Sequence, residues 1–216
     1  MTDRSIIFTG PEVRATLDGR KTQHRMVLRG VANDHLRVSP FSPSGIETTH
    51  GRLVVVPHAP GDRLWVKETF YCDHYDCPVA PIEEMRELIE YYASHDCRSW
   101  ESGCPCCDEN GRSRWRSSVH MPRWASRLTL TITNVRVQQV QDISEEDALA
   151  EGVKPLAHPE GKPALTWVGT SLVCKAPSRA FKDTWDSRHA KRGFGWDVNP
   201  WVVAITFTAE RRNIDG

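Results

Sequence analysis

The amino-acid sequence predicts an α+β fold: a small β-barrel with flanking short helices and a Cys-rich insertion held together by zinc. At least five segments have strand character, with short helices between them but without the regular strand–helix alternation of a doubly wound sheet. The strand that begins at Arg127 has strict apolar alternation that slips by one residue near Asn134. Such a slip indicates a bulge or sharp bend in a long strand. Six of the seven cysteines lie between Cys72 and Cys107.

Length and charge exclude several classes of protein. The chain has 216 residues, with 28 Lys and Arg against 28 Asp and Glu, which suits one domain with an insertion or two small domains. Hydrophobic residues make up 39% and charged residues 26%, so we expect neither a disordered chain nor a membrane protein. Zero net charge excludes a wholly basic nucleic-acid coat, though not a local basic face. Residues 1–5 begin no apolar signal-peptide region, which predicts a cytoplasmic protein.

The first elements are a short strand and a helix. Residues 6–8 are apolar and predict the strand. Pro11 is typical of the first position of a helix and Gly19 of its end, so we expect a helix over residues 11–18. A basic run, residues 20–25, follows directly.

Strands dominate the next part of the chain. Residues 30–50 have the Pro and Gly content of a loop or irregular hairpin. Residues 53–56 are strand-like, and residues 63–70 form a strong strand after a Pro-Gly-Asp turn.

Residues 71–117 differ in composition from the rest of the chain, and we interpret them as a Cys-rich insertion. They include one predicted helix, at about 81–95, where apolar residues recur at helical spacing. The parent fold then comprises residues 1–70 and 118–216.

Two further helices and a strand complete the parent fold. Ser144 precedes three acidic residues, a pattern typical of a capped helix start, and the helix covers about 145–151 before Gly152. Another helix is predicted at 178–190. Pro200 opens a last strand whose alternate apolar residues share one face.

The cysteine cluster contains two closely spaced pairs. Cys104 and Cys107 form a C-x-x-C pair, and Cys72 and Cys77 form a C-x4-C pair upstream. Two such pairs present four thiolates to one tetrahedral zinc ion, which would be structural because no position stays open for water. Unpaired thiols, or disulfides formed on oxidation, are the alternatives. The alternate metal ligands are Cys97, Cys106, His74 and His95.

A basic stretch lies between Glu109 and Asp142, where no acidic residue occurs. Trp115 and Trp124 are interleaved there with six arginines: Arg112, Arg114, Arg116, Arg123, Arg127 and Arg136. Arginine beside tryptophan suits phosphate contact together with base stacking. The alternative is a strand whose outward face is arginine, with tryptophan in the core.

The segment from Gly19 to Arg25 resembles the G-x-K-x-x-x-R signature of ASCH domains, in the PUA-like superfamily. Gly19, Lys21 and Arg25 fill the three signature positions. Four other segments are similar to those of ASCH proteins encoded by tailed phages and prophages: residues 60–68, 120–127, 142–148 and 199–202. The resemblance covers most of the chain apart from residues 71–117.

This resemblance implies a compact β-barrel with helices at its openings, in a phage or prophage protein acting in the cytoplasm of the bacterial host. ASCH domains are inferred to bind RNA or modified nucleosides in the cleft beside the signature. Some small bacterial members are amidohydrolases that remove the acetyl group from N4-acetylcytidine with a Lys, a Thr and a Glu. Lys21 matches the lysine, Glu151 matches the glutamate, and His24 stands where the family has threonine. Some other members are described as ribonucleases.

Two functions follow as hypotheses. One is a module that binds RNA or a modified nucleoside, with these ligand-binding residues: Arg20, Lys21, Thr22, Arg25, Glu68, Arg114, Trp115, Arg116 and Arg123. The other is an amidohydrolase in which Lys21 and Glu151, with His24 or a water, hydrolyse an N4-acylated cytosine or cytidine. A nuclease is a weaker third, because no acidic pair is placed to hold Mg²⁺. No membrane partner or organic cofactor is expected.

Each central residue also has a purely structural interpretation. Exposed lysine is the norm, so Lys21 is then a solvated cation that helps to cap the preceding helix. Arg25 would form an ion pair with an acid such as Asp18, and Glu151 would be one more acid of an acidic helix.

Overall fold

The computed structural model describes most of the chain, and the observations below concern these residues: 3–28, 36–38, 46–50, 54–72, 89–94, 115–155, 167–168 and 173–216. The chain divides into two compact units. The first unit comprises Met1–Leu17, Asp62–Thr131 and Ala209–Gly216, and the second comprises Asp18–Gly61 and Ile132–Thr208.

Three α-helices and twelve short or medium strands are seen in the described residues. The helices are α1 (Gly10–Leu17), α2 (Glu145–Ala150) and α3 (Pro177–His189). The strands are β1 (Asp3–Ile7), β2 (Gln23–Val27), β3 (Leu36–Val38), β4 (Ile46–Thr48), β5 (Arg63–Lys67), β6 (Phe70–Cys72), β7 (Ile89–Tyr91), β8 (Thr129–Gln139), β9 (Lys154–Pro155), β10 (Trp167–Val168), β11 (Val173–Cys174) and β12 (Trp201–Glu210).

The largest sheet has five strands in the order β1-β5-β8-β12-β2. β1 pairs in parallel with β5, whereas β5 pairs antiparallel with β8 and β12 antiparallel with β2, so the sheet is mixed. Among the described strands, β1 and β2 form its two edges and the sheet is open. The predicted α+β class is confirmed, and closure into a barrel stays a prediction.

In the first unit, local hydrogen bonds explain where α1 begins. The Glu12 carboxylate accepts hydrogen bonds from the Thr9 backbone N–H at 2.9 Å and from the Thr9 hydroxyl at 2.8 Å. These bonds hold the first turn in place, as a capping residue does. Phe70, Met121 and Ala125 form a buried apolar cluster of the same unit.

In the second unit, α2 and α3 contribute to one apolar cluster of buried residues: Val140, Ile143, Ala148, Phe181, Trp185 and Val202. The Ser144 hydroxyl caps α2 by accepting the Asp147 backbone N–H at 3.1 Å. The helix ends at Ala150, and Gly152 has a φ of 91°, a left-handed conformation that glycine adopts at little cost. Glu151 is therefore held at the turn between helix and glycine.

Much of the local structure agrees with the sequence-based expectations. The three helices predicted at 11–18, 145–151 and 178–190 are confirmed to within one residue at each end. β3 and β4 pair antiparallel, which confirms a hairpin within 30–50. Alternation in β8 breaks where Thr133 and Asn134 are both exposed, as the slip in the sequence indicates.

Two local predictions are wrong. Residues 54–56 form no strand, although they are strand-like in sequence. Ile89–Tyr91, predicted as helix, form β7 because they pair antiparallel with β6; residues 81–88 and 95 of that predicted helix lie outside the described residues. In the last strand, Val202 to Ile205 are all buried, so its other face is covered as well as the predicted apolar one.

Candidate functional site

A backbone bridge in the second unit brings the basic run next to the end of α2. Lys21 and Glu151 form an isolated antiparallel β-bridge, and the Thr22 N–H donates to the Ala150 carbonyl at 2.8 Å. Side chains alternate along an extended strand, so Lys21, Gln23 and Arg25 project to the same side. That side faces Glu151.

Lys21 is a buried ammonium group with every hydrogen engaged. Its side chain is 1% exposed. Nζ donates to the Glu151 carboxylate Oε2 at 2.7 Å, to the Gln23 carbonyl at 2.8 Å and to the Glu151 carbonyl at 3.1 Å. The interpretation of Lys21 as a solvated lysine is wrong, because its charge is compensated inside the protein.

Arg25 is buried beside Lys21 and shares its carboxylate. Its Nη1 donates to Glu151 Oε1 at 2.9 Å, and its Nη2 donates to Asp147 Oδ2 at 2.7 Å. The guanidinium carbon lies 5.8 Å from the centre of the Phe181 ring, within the range of a cation–π contact. The Arg25–Asp18 ion pair considered from the sequence is not formed; Asp18 pairs with Arg20 instead.

Glu151 is the acceptor at the centre of the site. Its side chain is only 5% exposed and receives one cation on each carboxylate oxygen. Burial alone would raise its pKa, but the charges of Lys21, His24 and Arg25 outweigh burial and hold the pKa below its usual value. Glu151 is therefore an ionised carboxylate near neutral pH, in surroundings from which water is largely excluded.

An outer layer of side chains surrounds this group. The Asp147 carboxylate accepts hydrogen bonds from Arg25, from Gln23 Nε2 at 2.8 Å and from Arg136 Nη2 at 2.9 Å. Burial opposes its ionisation, but the bonds from Gln23 and Arg136 and the charges of Arg25 and Arg136 lower its pKa overall. We call Lys21, Gln23, Arg25, Arg136, Asp147 and Glu151 the charged cluster.

The remaining predicted residues of this loop have different environments. His24 is half-buried in β2 opposite Ile205, and its charge acts on Glu151. Thr22 is exposed. Arg20 donates to the Gly152 carbonyl and to Asp18, both at 2.9 Å, so its guanidinium braces the turn after α2.

The predicted ligand residue Glu68 lies in the first unit, where it is buried and paired with Arg127. Arg127 Nε and Nη2 donate to the two carboxylate oxygens at 2.8 and 2.9 Å, a bidentate pair. The Arg127 guanidinium also stacks 4.0 Å from the centre of the Tyr91 ring. Burial raises the pKa of Glu68 and outweighs the opposing effect of Arg127.

The arginine-rich stretch is compensated by acids from distant parts of the chain. Arg123 binds Asp215 and Asp3, Arg127 binds Glu68, and Arg136 binds Asp147. Arg116 forms a backbone bridge with Phe70, and Trp115 contacts Tyr71 and Tyr92 edge to face. Both Trp115 and Trp124 are half-buried. Arg112 and Arg114 lie outside the described residues.

Searches of family models, curated proteins and solved structures found no match to this chain. None of the helices in the described residues has the length and the apolar composition that a membrane span requires.

The predicted zinc site falls almost wholly outside the described residues. Only the backbone of Cys72 is described, as the last residue of β6. The other candidates lie outside: Cys77, Cys104, Cys107, Cys97, Cys106, His74 and His95. Among the described residues, no group of three or more His, Cys, Asp or Glu side chains is placed to hold a metal ion.

Three members of the charged cluster were not among the predicted site residues: Gln23, Arg136 and Asp147, although Arg136 was one of the arginines of the basic stretch. Periodicity carried a signal for two of them. Asp147 precedes Glu151 by four residues, one turn of α2, and Gln23 lies between Lys21 and Arg25 at strand spacing. Arg136 had no comparable local signal, because its partner Asp147 is set by the fold.

Proposed function

We propose that this chain is an ASCH-type protein with a PUA-like barrel that hydrolyses the amide bond of an N4-acylated cytosine nucleoside. The observation that carries the proposal is the contact of Lys21 Nζ with Glu151 Oε2 at 2.7 Å, between residues 130 positions apart. Only the family resemblance paired these two residues in advance. Their side chains are 1% and 5% exposed, which favours contact with a small group of a substrate over contact with an extended phosphate backbone.

The chemistry requires a proton acceptor and a group that stabilises negative charge. Water supplies the nucleophile: its oxygen bonds to the acyl carbon while one proton passes to the Glu151 carboxylate. The carbon–nitrogen bond then breaks, and that proton moves to the departing N4 nitrogen. The products are a carboxylic acid and the unmodified cytosine amine.

Lys21 is the group suited to the negative charge that develops on the acyl oxygen. A fixed ammonium in a water-poor site stabilises such charge more strongly than it would in water. All three of its hydrogens are bonded to the protein, so the acyl oxygen has to replace one acceptor. The Glu151 carbonyl, at 3.1 Å the longest of the three contacts, is the acceptor we expect to be displaced.

His24 cannot replace the family's threonine as a hydroxyl nucleophile, and for this reason we assign the attack to water. An imidazole on the same strand can accept or donate a proton near neutral pH. Its half-buried position, with its charge acting on Glu151, suits it to relay a proton or to hold the substrate.

The test is incubation of the purified protein with N4-acetylcytidine, with cytidine measured by chromatography. We expect product from the wild type and a loss of at least about 100-fold in Lys21→Met and Glu151→Gln. Glu146→Gln is the matched control, because Glu146 is an exposed acid of the same helix. All variants are compared at equal folded fraction by circular dichroism. No cytidine from folded wild-type protein refutes the proposal.

A second candidate is a module that binds RNA or a modified nucleoside without turnover. The observation in its favour is an aromatic group in the first unit, where Tyr92 is 51% exposed and its ring lies 5.4 Å from Trp115. An exposed aromatic beside Arg116 suits base stacking. This candidate predicts binding to single-stranded RNA that weakens with salt, and loss of binding in Trp115→Ala but no cytidine product.

We also propose that the Cys-rich insertion binds a structural zinc ion through Cys72, Cys77, Cys104 and Cys107. The support is the spacing of the two cysteine pairs. A phage or prophage origin and action in the bacterial cytoplasm complete the proposal, and both rest on the family resemblance.

A further inference from the structure

The charged cluster has one more positive than negative charge among its described members. Its cations are Lys21, Arg25 and Arg136, and its carboxylates are Asp147 and Glu151. Hydrogen bonds of 2.7 to 2.9 Å connect all five. The less exposed members balance one another, two cations against two carboxylates, so the formal surplus lies on Arg136 at the exposed end of the cluster, where a positive charge favours an anion.

Arg136 is the member that an approaching ligand meets first. Its side chain is 41% exposed, compared with 13% for Asp147 and 5% for Glu151. In the described part of the chain it donates only through Nη2, to both Asp147 oxygens and to Gln23. Nε and Nη1 make no hydrogen bond to the described residues.

A second unused donor lies deeper in the same cluster. Nε of Arg25 is buried, and no group in the described residues accepts its hydrogen. A buried N–H without an acceptor is costly, so a bound water or a ligand oxygen is expected there. Arg25 and Arg136 are joined through one carboxylate, that of Asp147.

We infer that the substrate carries a phosphate group and that Arg136 is the residue that selects it. This inference rests on the proposed function and narrows the substrate from an N4-acylated nucleoside to its 5′-monophosphate. The guanidinium of Arg136 matches a phosphate in shape and charge, and its Nε and Nη1 make no hydrogen bond to the residues that the structure describes. On this inference Arg136 binds the phosphate and so determines substrate specificity, while Lys21 and Glu151 act on the amide bond.

The experiment compares kcat/KM for N4-acetylcytidine and N4-acetylcytidine 5′-monophosphate. We expect the wild type to prefer the monophosphate by about tenfold, the effect of one good charged contact. In Arg136→Gln the ratio should fall to near one, and in Arg136→Lys it should be intermediate. General damage to the site lowers kcat/KM for both substrates to the same extent and leaves their ratio unchanged. Arg192→Gln removes an exposed arginine of the same unit and should keep the wild-type ratio.

A binding arm separates failure of this inference from failure of the proposed function. Calorimetry with cytidine, cytidine 5′-monophosphate and a short cytidine oligonucleotide requires no turnover. Tighter binding of the monophosphate that Arg136→Gln abolishes supports the inference even if no amide is hydrolysed. A wild-type ratio near one, a preference that survives in Arg136→Gln, or no binding of the monophosphate overturns it. Tighter binding of the oligonucleotide but not of the monophosphate also overturns the inference, and it would indicate that RNA is the ligand.

Discussion

Replacing Glu151 with glutamine is expected to destabilise the second unit strongly, because Glu151 compensates two buried cations. Glu151 accepts from Lys21 at 2.7 Å and from Arg25 at 2.9 Å, and the side chains of these cations are 1% and 0% exposed. Removing one partner of a buried ion pair costs about 3–5 kcal/mol, because a charge is left uncompensated. Glutamine keeps the shape and one acceptor oxygen, so we expect a loss of about 3 kcal/mol in the free energy of unfolding.

The assay is urea denaturation followed by tryptophan fluorescence and circular dichroism. With a urea dependence of about 2.5 kcal/mol per molar, that loss lowers the transition midpoint by about 1 M. Glu146→Gln, the matched exposed acid of α2, should stay within about 0.5 kcal/mol of the wild type. A Glu151→Gln midpoint equal to that of Glu146→Gln would refute the argument that Glu151 compensates two buried cations.

The wild type and Glu151→Gln should also differ in how their free energy of unfolding depends on pH. The pKa of Glu151 is lowered in the folded protein, so its stabilising effect is complete above its unfolded value of about 4.3. That effect is lost as the pH falls through the folded pKa. The stability difference between wild type and Glu151→Gln should therefore be constant near neutrality and shrink in acid. A difference that grows below pH 4 contradicts this assignment.

Four further predictions concern other parts of the molecule. The pKa of Glu68 is raised in the folded protein, so its effect on the pH dependence of stability is opposite to that of Glu151: its contribution to the free energy of unfolding decreases as the pH rises above about 4. Glu68→Gln should remove this pH-dependent contribution, as measured by urea denaturation between pH 4 and 7. Ser144→Ala removes the cap of α2 and should cost about 1 kcal/mol by thermal denaturation; no change would argue against the cap. Asn213→Ala removes an amide that donates to three backbone carbonyls at 2.7 to 3.0 Å, and should cost about 1–3 kcal/mol in the same assay. Elemental analysis should find one zinc ion per chain, and the double variant Cys104→Ser/Cys107→Ser should lose it. A wild-type protein that is folded but contains no zinc would contradict the proposed structural zinc site.

Local sequence signals were sufficient for the helices. The ends of α2 follow from Ser144 and Gly152, because a hydroxyl cap and a glycine in a left-handed conformation act within one or two residues. The helix predicted at about 81–95 is contradicted at residues 89–91, which the structure describes as a strand, and it shows the limit of such signals. Its apolar spacing suits a helix, but residues 89–91 pair with a strand nearly twenty positions earlier, and sheet pairing outweighs local preference.

The candidate site was only partly predictable, for the same reason. The family resemblance named Lys21 and Glu151, and their contact depends on a backbone bridge between residues that are distant in the sequence. The basic stretch was interpreted as a surface that contacts phosphate groups, since no acidic residue occurs between Glu109 and Asp142 in the sequence. The fold supplies those acids from elsewhere: Asp3 and Asp215 reach Arg123, and Glu68 reaches Arg127. The distribution of charged residues along the sequence therefore does not show which charges are neighbours in the folded protein.

The measurement that tests the central claim most directly is the time course of cytidine release from N4-acetylcytidine by wild type and Lys21→Met, both shown to be folded. We predict steady, multiple-turnover release by the wild type and none above the uncatalysed rate with Lys21→Met. Equal release by both proteins would contradict the role of Lys21, and no release by either would contradict the hydrolase itself.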